Sequence, residues 1–466
     1  MNRFILLFTL LFFTLSVEAQ DILSAELFMR QVALHHPLAK QADLQINRGD
    51  ALVLKARGGF DPKVGGDLRQ KYFDGDSYYS MLNAGLKVPT WFGIQLEGGY
   101  DQTGGQNLNP EFKTPEDGLI YAGLSMALGK GLFMDERRAA LRQAQIHLES
   151  SKVKRQLLLN QLVLEAAEAY WKWFKAYNSM LVYEEGFALA DQRFNAVRGG
   201  AELGDRPYID TLEAGIQLQN RNLMLQESRM NFKNASAYLE VFLWEDGIIP
   251  LELAATTIPP TMDNTESSDV EFRLLNALDT IGTNHPKLLE YRFMVEGLEV
   301  EQRWKNEQLK PTVNLKYNAL STPVNGDVFS TYSPSNYNWG LEVSMPLLLR
   351  KERGNFRLNN LKIQEANYEI ASMEQAIRSK AEMAINEWST SFSQVNLYRR
   401  TVLDYGKLLD GERQLFNGGE SSLFMVNSRE MNYMKAKLKL VDLLVTNHMA
   451  AVQADFSFGS MGTIVQ

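Results

Sequence analysis

The chain has 466 residues, of which 45% are hydrophobic and 22% are charged, values that are typical of folded proteins. It contains no cysteine, which excludes disulfides, thiolate metal sites and a thiol nucleophile. The formal net charge of −8 argues against a general nucleic-acid-binding protein.

The first predicted element is an export signal at residues 1–19. Arg3 provides a basic start, residues 4–15 are apolar, and Val17 and Ala19 are small residues at the −3 and −1 positions of a cleavage site. The apolar run is too short for a membrane-spanning helix. We therefore expect an exported protein that is cleaved after Ala19.

Alternation of apolar and polar residues predicts strands. For example, Ile94 and Leu96 lie on one face of a run, whereas Gln95 and Glu97 lie on the other. A membrane barrel with an aqueous lumen and a half-exposed soluble sheet both give this pattern, and the export signal favours the barrel. The strands predicted for one chain are too few to close around a channel. A barrel would therefore require several copies of the chain. The runs lie near residues 64–73, 78–88, 93–102, 119–128, 312–320 and 337–345.

Two very long helices are predicted from heptads. Apolar residues alternate at spacings of four and three from Leu162 to Val197, and the same rhythm runs from Ile363 to Phe416 with one extra step of four. This period predicts coiled-coil packing. No helix breaker occurs within 135–198, a stretch that would span about 96 Å as a helix. Two or three ordinary helices in a bundle are the alternative, but they would require interruptions.

The two halves of the chain repeat the same order of parts. "HHPLAK" at residue 35 matches "NHPKLL" at residue 284, and "FNAVRGG" at residue 194 matches "FNGG" at residue 416. Each half is interpreted as helix, β segment, very long helix, glycine turn and helix. We predict a first repeat over residues 20–249 and a second over residues 250–466, joined by the Pro- and Thr-rich residues 246–269.

The glycine turns are predicted to reverse the chain. Gly199-Gly200 and Gly418-Gly419 would end the long helices with positive φ angles. Asp205 and Ser422 are then the predicted caps of the helices that follow. A short turn of this kind makes consecutive helices antiparallel neighbours.

With these parts in place, the chain resembles the TolC family of outer-membrane channel proteins. The resemblance implies an α+β membrane protein whose protomer is a tandem repeat. Its coiled-coil helices would form a periplasmic α-helical barrel, and its β hairpins would form a shared trimeric outer-membrane β-barrel, usually of twelve strands with four per chain. This chain differs from that pattern by about two extra runs, because "VPTWFG" at residue 88 either kinks one long strand or marks an extra hairpin.

The resemblance also implies a function. The protein would be the exit duct of a tripartite efflux or type I secretion system in the cell outer membrane, with a long periplasmic extension. Its expected partners are two further copies of itself, a periplasmic adaptor (membrane fusion protein), an inner-membrane pump of RND or ABC type, and outer-membrane lipid. The alternative is a soluble periplasmic coiled-coil structural protein with β insertions.

The resemblance places adaptor docking at the periplasmic tips. The expected docking residues are Arg198, Gly199, Gly200, Glu202, Asp210, Gly418, Gly419, Glu420 and Leu423. Asp210 and Phe416 are the expected gate link, and Phe416 lacks the hydroxyl that some relatives have there. Met425 and Ser428 stand where many relatives carry an acidic ring, so a carboxylate ring is not expected.

No motif for catalysis is found in the sequence. The five histidines form no HExxH pattern, and neither GxSxG nor a P-loop occurs. His36 and His285 stand at equivalent positions of the two repeats, each before a proline, and are expected to pack at helix starts. We therefore expect neither an enzyme nor a cofactor or metal site.

Overall fold

A computed structural model describes residues 21–266, 284–323, 327 and 331–461. The predicted export signal lies outside these residues, as does part of the predicted join at 246–269. Within them the chain forms seven α-helices, named in chain order: α1 (Ala25–His35), α2 (Pro37–Arg57), α3 (Glu136–Glu202), α4 (Tyr208–Glu240), α5 (Pro286–Glu307), α6 (Arg350–Asn417) and α7 (Leu423–Phe458).

The same residues form ten strands. Four of them are two-residue strands, which pair β1 with β8 and β6 with β7. Short 3-10 turns occur at Gly58–Phe60, Pro110–Phe112 and Met262–Asn264. The strands are β1 (Asp21–Ile22), β2 (Lys63–Phe73), β3 (Asp76–Pro89), β4 (Ile94–Gly104), β5 (Leu119–Ala127), β6 (Trp244–Glu245), β7 (Ile249–Pro250), β8 (Thr257–Ile258), β9 (Thr312–Ser321) and β10 (Tyr337–Ser344).

The two long helices are confirmed. α3 has 67 residues and α6 has 68, and neither is interrupted. Most of the predicted heptad positions are buried, since their apolar side chains pack against neighbouring helices. In α3 they include Leu162, Ala166, Ala169, Trp173, Ala190 and Val197, and in α6 they include Ile377, Ala381, Ala384, Trp388, Val395, Val402 and Leu409. None of the helices in the described ranges is long and apolar enough to cross a membrane.

All six predicted β runs are confirmed, and they form one antiparallel sheet. Its strand order is β10-β9-β5-β4-β3-β2. The stretch "VPTWFG" marks an extra hairpin, because it is a turn that joins the hairpin β2–β3 to the hairpin β4–β5: β3 ends at Pro89, and β4 begins at Ile94 and pairs with β3 in the opposite direction. Thr90 closes this turn by donating its backbone N–H to the carbonyl of Ile94, at 3.0 Å.

The described chain divides into two compact units, and each long helix contributes to both. The helical unit falls within Met1–Gln41, Leu158–Asp279 and Arg378–Gln466. The sheet unit falls within Ala42–Leu157 and Thr280–Ile377 and contains the whole six-stranded sheet. The predicted division into two repeats at residue 249 remains a prediction.

The helical unit has an extensive apolar core. One large cluster packs residues of α6 and α7, including Val395, Val402 and Leu444, against Val182 of α3. A second cluster joins Ala384 and Trp388 of α6 with small alanines of α7. Long-range packing of this kind stabilises the helices far more than helix propensity does.

Candidate functional site

Both helix-turn-helix tips end their first helix with the same capping geometry. At the end of α3, the N–H of Asp205 donates to the carbonyl of Gly200 at 2.9 Å, and Gly204 has φ +82°. At the end of α6, the N–H of Glu420 donates to the carbonyl of Leu415 at 2.9 Å, and Gly419 has φ +77°. These are Schellman motifs, in which a left-handed glycine lets the chain turn back.

This geometry corrects the predicted role of three glycines. Gly199 and Gly200 lie inside α3, and neither of them nor Gly418 has a positive φ angle. Two helical glycines cost about 1 kcal/mol each relative to alanine, which is small beside the packing that holds the rest of α3. The helix therefore continues past them and ends at Glu202, next to Gly204.

The predicted caps have different outcomes. Ser422 caps α7 as expected, since its side chain accepts a hydrogen bond from the N–H of Met425 at 3.3 Å. The predicted cap Asp205 is wrong: α4 begins at Tyr208 with Pro207 in the capping position and no side-chain cap. Pro207 has no N–H that needs a partner and has a fixed φ angle, so it starts the helix without a polar cap.

The expected docking residues fall into exposed and buried groups. Arg198 lies over the Phe194 ring and 3.9 Å from the Glu202 carboxylate on the exposed end of α3. Leu423 is only 5% exposed and packs with Val197 and Ala214. The expected tip residues therefore combine a charged surface with a small apolar core.

The two expected gate residues have separate surroundings. Phe416 packs against the apolar core of the tip, and the guanidinium of Arg206 lies 4.2 Å from the centre of its ring. Asp210 stands in the first turn of α4, where its charge favours the helix N-terminus. The link between Asp210 and Phe416 therefore remains a prediction.

Exposed apolar side chains at both tips were not predicted. Tyr208 and Leu203 are 82% and 80% exposed at the first tip, and Phe424 is 69% exposed at the second. Ile209 and Leu212 are also exposed on α4. Their position beside the turns was the signal in the sequence. Apolar patches on a surface mark sites that bind another molecule.

A buried ionic cluster just behind the tips was also missed. The carboxylate of Glu430 in α7 is completely buried and accepts two hydrogen bonds from Arg193 of α3, at 2.5 and 3.4 Å. Arg221 of α4 and Arg413 of α6 approach it to 3.9 and 3.8 Å. Burial lowers the pKa of Arg221, and the charge of Glu430 opposes that effect. One carboxylate thus joins four helices.

The sequence contained one indication of this cluster, a charged residue on an otherwise apolar face of α7. Leu423, Val426 and Met434 are buried at helical spacing along α7, and Glu430 occupies the same face. A charged residue in such a series requires a partner of opposite charge, because an unpaired buried charge is very costly.

The six-stranded sheet has one apolar and one polar face, as the alternation predicted. The apolar side chains are exposed: Val64, Trp339 and Val343 are 84%, 63% and 64% accessible. The registers place apolar residues of all six strands on this face, including Val64, Leu68, Leu82, Leu86, Val88, Leu96, Leu124, Leu315, Tyr317, Trp339, Leu341 and Val343.

The polar face is the shielded one. The side chain of Glu97 is 7% exposed and accepts a bond from the ammonium of Lys316 at 2.7 Å, across the intervening strand β5. Asn318 is 5% exposed, and Asn83 donates to Asp101 on the same face. The sheet therefore shields polar groups and exposes apolar ones, the reverse of a sheet that packs on a water-soluble core.

Three of the five histidines have structural roles. His285 caps α5 by accepting from the N–H of Lys287 at 3.1 Å, and His36 accepts from the N–H of Leu38 at 3.2 Å, as expected for residues at helix starts. His448 stacks on Trp171 with ring centres 4.0 Å apart, and burial lowers its pKa to about 4. Among the described residues, no group of three or more potential ligands could hold a metal ion.

Comparison with known proteins identifies the fold. No protein-family model and no curated protein sequence matches the chain. Among solved structures, the outer membrane channel MtrE of Neisseria gonorrhoeae superposes with a TM-score of 0.64 at 13% identity, covering 93% of this chain and 88% of MtrE.

Two further solved structures are similar to the same extent. The outer membrane protein VceC of Vibrio cholerae gives a TM-score of 0.63 at 12% identity, with 93% and 96% of the two chains covered. The outer membrane channel CmeC of Campylobacter jejuni gives 0.62 at 13% identity, with 93% and 85% covered. This chain therefore has the fold of TolC-type outer-membrane channels, and the resemblance drawn from its sequence is confirmed at the level of the fold.

Proposed function

We propose that this protein is a channel in a bacterial outer membrane. The observation that carries the proposal is the reversed polarity of the six-stranded sheet. Its exposed face offers Val64, Leu341 and Val343, all more than half accessible. An apolar face of this size requires a non-aqueous neighbour. Lipid suits it, because barrel strands alternate apolar side chains toward lipid with polar ones toward the lumen.

The polar face would line the lumen. Lys87, Glu97, Asp101 and Lys316 lie on that face of β3, β4 and β9. Both signs of charge are present, so this surface would hold water without strongly preferring anions or cations. This arrangement supports a duct for varied solutes in place of an ion-selective pore.

One chain is not sufficient for a barrel that encloses a channel, since six strands are too few. We therefore propose a homotrimer in which each chain contributes one sheet. The two halves, residues 20–249 and 250–466, are proposed as structural repeats, and the matching Schellman turns at Gly204 and Gly419 support this assignment.

The tips are proposed as the docking surface of a periplasmic adaptor. They carry the charged Arg198, Glu202 and Glu420 beside exposed Tyr208 and Phe424. An adaptor bound there would connect the channel with an inner-membrane pump of RND or ABC type. In this proposal the protein is the exit duct of a tripartite efflux or type I secretion system and performs no enzymatic reaction.

Fractionation of cells that produce the protein tests this function. The expected result is a trimer, detected by crosslinking in mild detergent, that stays with the outer membrane after a high-salt wash. Recovery of the protein in the soluble periplasmic fraction, or crosslinking that yields only monomers and dimers, would overturn the proposal. The same preparation allows tip cysteines such as Tyr208→Cys to be tested for crosslinking to an adaptor.

A further inference from the structure

The sheet has two open edges. β2 forms one edge and β10 the other, and every residue of both strands is exposed. All neighbouring strands are antiparallel and there are six of them, so β2 runs opposite to β10. Long, exposed edges of this kind favour pairing with another chain. A second copy could therefore continue the sheet in antiparallel fashion.

We infer that three copies close into a single barrel of 18 strands, in which β2 of each chain pairs with β10 of the next. This inference rests on the proposed trimeric channel. The resemblance implied only four strands per chain, an arrangement that would leave the extra hairpin β2–β3 outside the barrel. Its pairing argues against that, because β3 is joined to β4 from Ser80 to Pro89, ten of the fourteen residues of the strand.

The apolar face of the sheet continues across the seam, which is the pairing of β2 of one chain with β10 of the next. Val64 and Leu68 of β2 lie on the same sheet face as Trp339 and Val343 of β10. A line of paired residues crosses the whole sheet and shows this directly. It runs through Val64, Leu86, Gly98, Ala122, Ala319 and Tyr337. Pairing between copies then preserves the apolar and polar faces only if the register along β10 shifts by an even number of residues.

The tilt of the strands selects the size of that shift. Val64 is in line with Tyr337 of its own chain, so pairing with Val343 of the next chain is a shift of six residues per chain. With about 3.3 Å per residue and about 4.8 Å between strands, this gives a tilt of about 35°. Shifts of four and eight give about 25° and about 43°, and membrane barrels tilt by about 35–45°. A shift in the opposite direction would place Val64 beside Thr331, beyond the end of β10.

Charge decides between the two remaining registers. A shift of eight would put Asp67 directly opposite Glu342, and like charges in that position destabilise a sheet. A shift of six places Gly340 opposite Asp67 and Gly65 opposite Glu342. The geometry therefore favours Val64 beside Val343 and Leu68 beside Trp339, each pair formed between neighbouring chains.

The consequence is a wide barrel. At a tilt of about 35°, 18 strands enclose a backbone diameter of about 34 Å, compared with about 22 Å for twelve. The inferred duct would therefore have room at the outer membrane for bulkier substrates, such as folded small proteins, than a twelve-stranded barrel has.

Cysteine crosslinking tests the seam, and the chain has no native cysteine that would interfere. The first variant combines Leu68→Cys with Trp339→Cys. Oxidation of outer membranes should link these residues between chains and yield covalent dimers and trimers. Within one chain, β2 and β10 are five strands apart, which is too far for a disulfide.

The matched control combines Leu96→Cys with Val343→Cys. These residues would be neighbours if β4 closed a twelve-stranded barrel against β10 of the next chain, but here they are about three strand spacings, or about 14 Å, apart. No link is expected. Crosslinking of this control, or no crosslinking of Leu68→Cys with Trp339→Cys in an intact trimer, would overturn the 18-stranded seam. If the unmodified chain forms no membrane trimer, the proposed function is wrong. If the trimer forms but the crosslinks differ from those expected, only the 18-stranded barrel is wrong.

Discussion

Leu96→Arg is the substitution that most sharply separates a lipid-facing sheet from a water-facing one. Leu96 lies in β4, between Val88 of β3 and Leu124 of β5, and it is 49% exposed on the apolar face. Gln95 is its neighbour on the polar face and donates to the carboxylate of Glu97 at 2.8 Å. Gln95→Arg is therefore a matched control, since it adds the same charge beside a carboxylate.

The free-energy cost of Leu96→Arg differs between lipid and water. On a lipid-facing strand, an arginine costs about 2–4 kcal/mol per chain at the midplane and about 0–1 kcal/mol near the interfaces. Leu96 is the third residue of β4 and lies between these limits, so we expect a cost of about 1–3 kcal/mol per chain, or roughly 5- to 160-fold in an equilibrium constant. In water, a half-exposed Leu96→Arg would change stability by only about 0.5 kcal/mol. A trimer contains the substitution three times, so the difference in assembly should be large.

The assay is the yield of detergent-resistant trimer in the outer-membrane fraction at matched expression. We expect Leu96→Arg to reduce the yield strongly and Gln95→Arg to leave it near that of the unmodified protein. Equal yields for the two variants would refute the assignment of the apolar face to lipid. Glu97 is unsuitable as a control because its ion pair with Lys316 would be lost.

The remaining predictions concern the helical unit. Glu430→Gln leaves buried arginines without their carboxylate and should destabilise the helical unit by about 3–5 kcal/mol. The measurement is the denaturation midpoint, which should fall, and an unchanged midpoint would contradict the role of the cluster. Gly204→Val with Gly419→Val strains two positive φ angles by about 1–2 kcal/mol each and should weaken adaptor crosslinks while trimers persist, whereas Gly199→Ala, which meets open space, should change neither. His448 has a pKa of about 4 when folded and 6.5 when unfolded, because it is buried against an aromatic ring. The unfolded chain therefore binds the extra proton, so stability should fall by up to about 3 kcal/mol as the pH drops from 6.5 to 4, and His448→Phe should remove that dependence in pH-dependent melting.

The long helices and the strands could be predicted because their signals are periodic. The heptads of α3 and α6 repeat over dozens of residues, so one polar residue in the series, such as Ser391 between Trp388 and Val395 of α6, does not obscure them. The strand alternation likewise placed all six runs of the sheet. In both cases one face of the helix or strand is apolar throughout. Apolar residues must then recur at the period that keeps them on that face, and this period is visible in the sequence.

The helix ends and the polar cluster were harder to predict. Gly199 and Gly200 resemble a helix stop, but packing elsewhere along α3 outweighs their conformational cost, and Gly204 makes the turn. Glu430 is held by arginines that are distant in sequence, the nearest being Arg413, 17 residues before it. One amino-acid sequence does not show which helices pack together. Ion-pair partners on different helices can therefore be identified only from the tertiary structure.

The most direct test of the central claim is to label single cysteines on intact cells with a membrane-impermeant maleimide. The connections between β2 and β3 and between β4 and β5 lie at the end of the sheet opposite the helices, so Asp74→Cys and Glu111→Cys should react from outside the cell. Tyr208→Cys, at a tip, should react only after the outer membrane is permeabilised. This pattern would establish a protein that spans the outer membrane with its tips in the periplasm. Labelling of Tyr208→Cys on intact cells, or equal protection of all three cysteines, would contradict the channel.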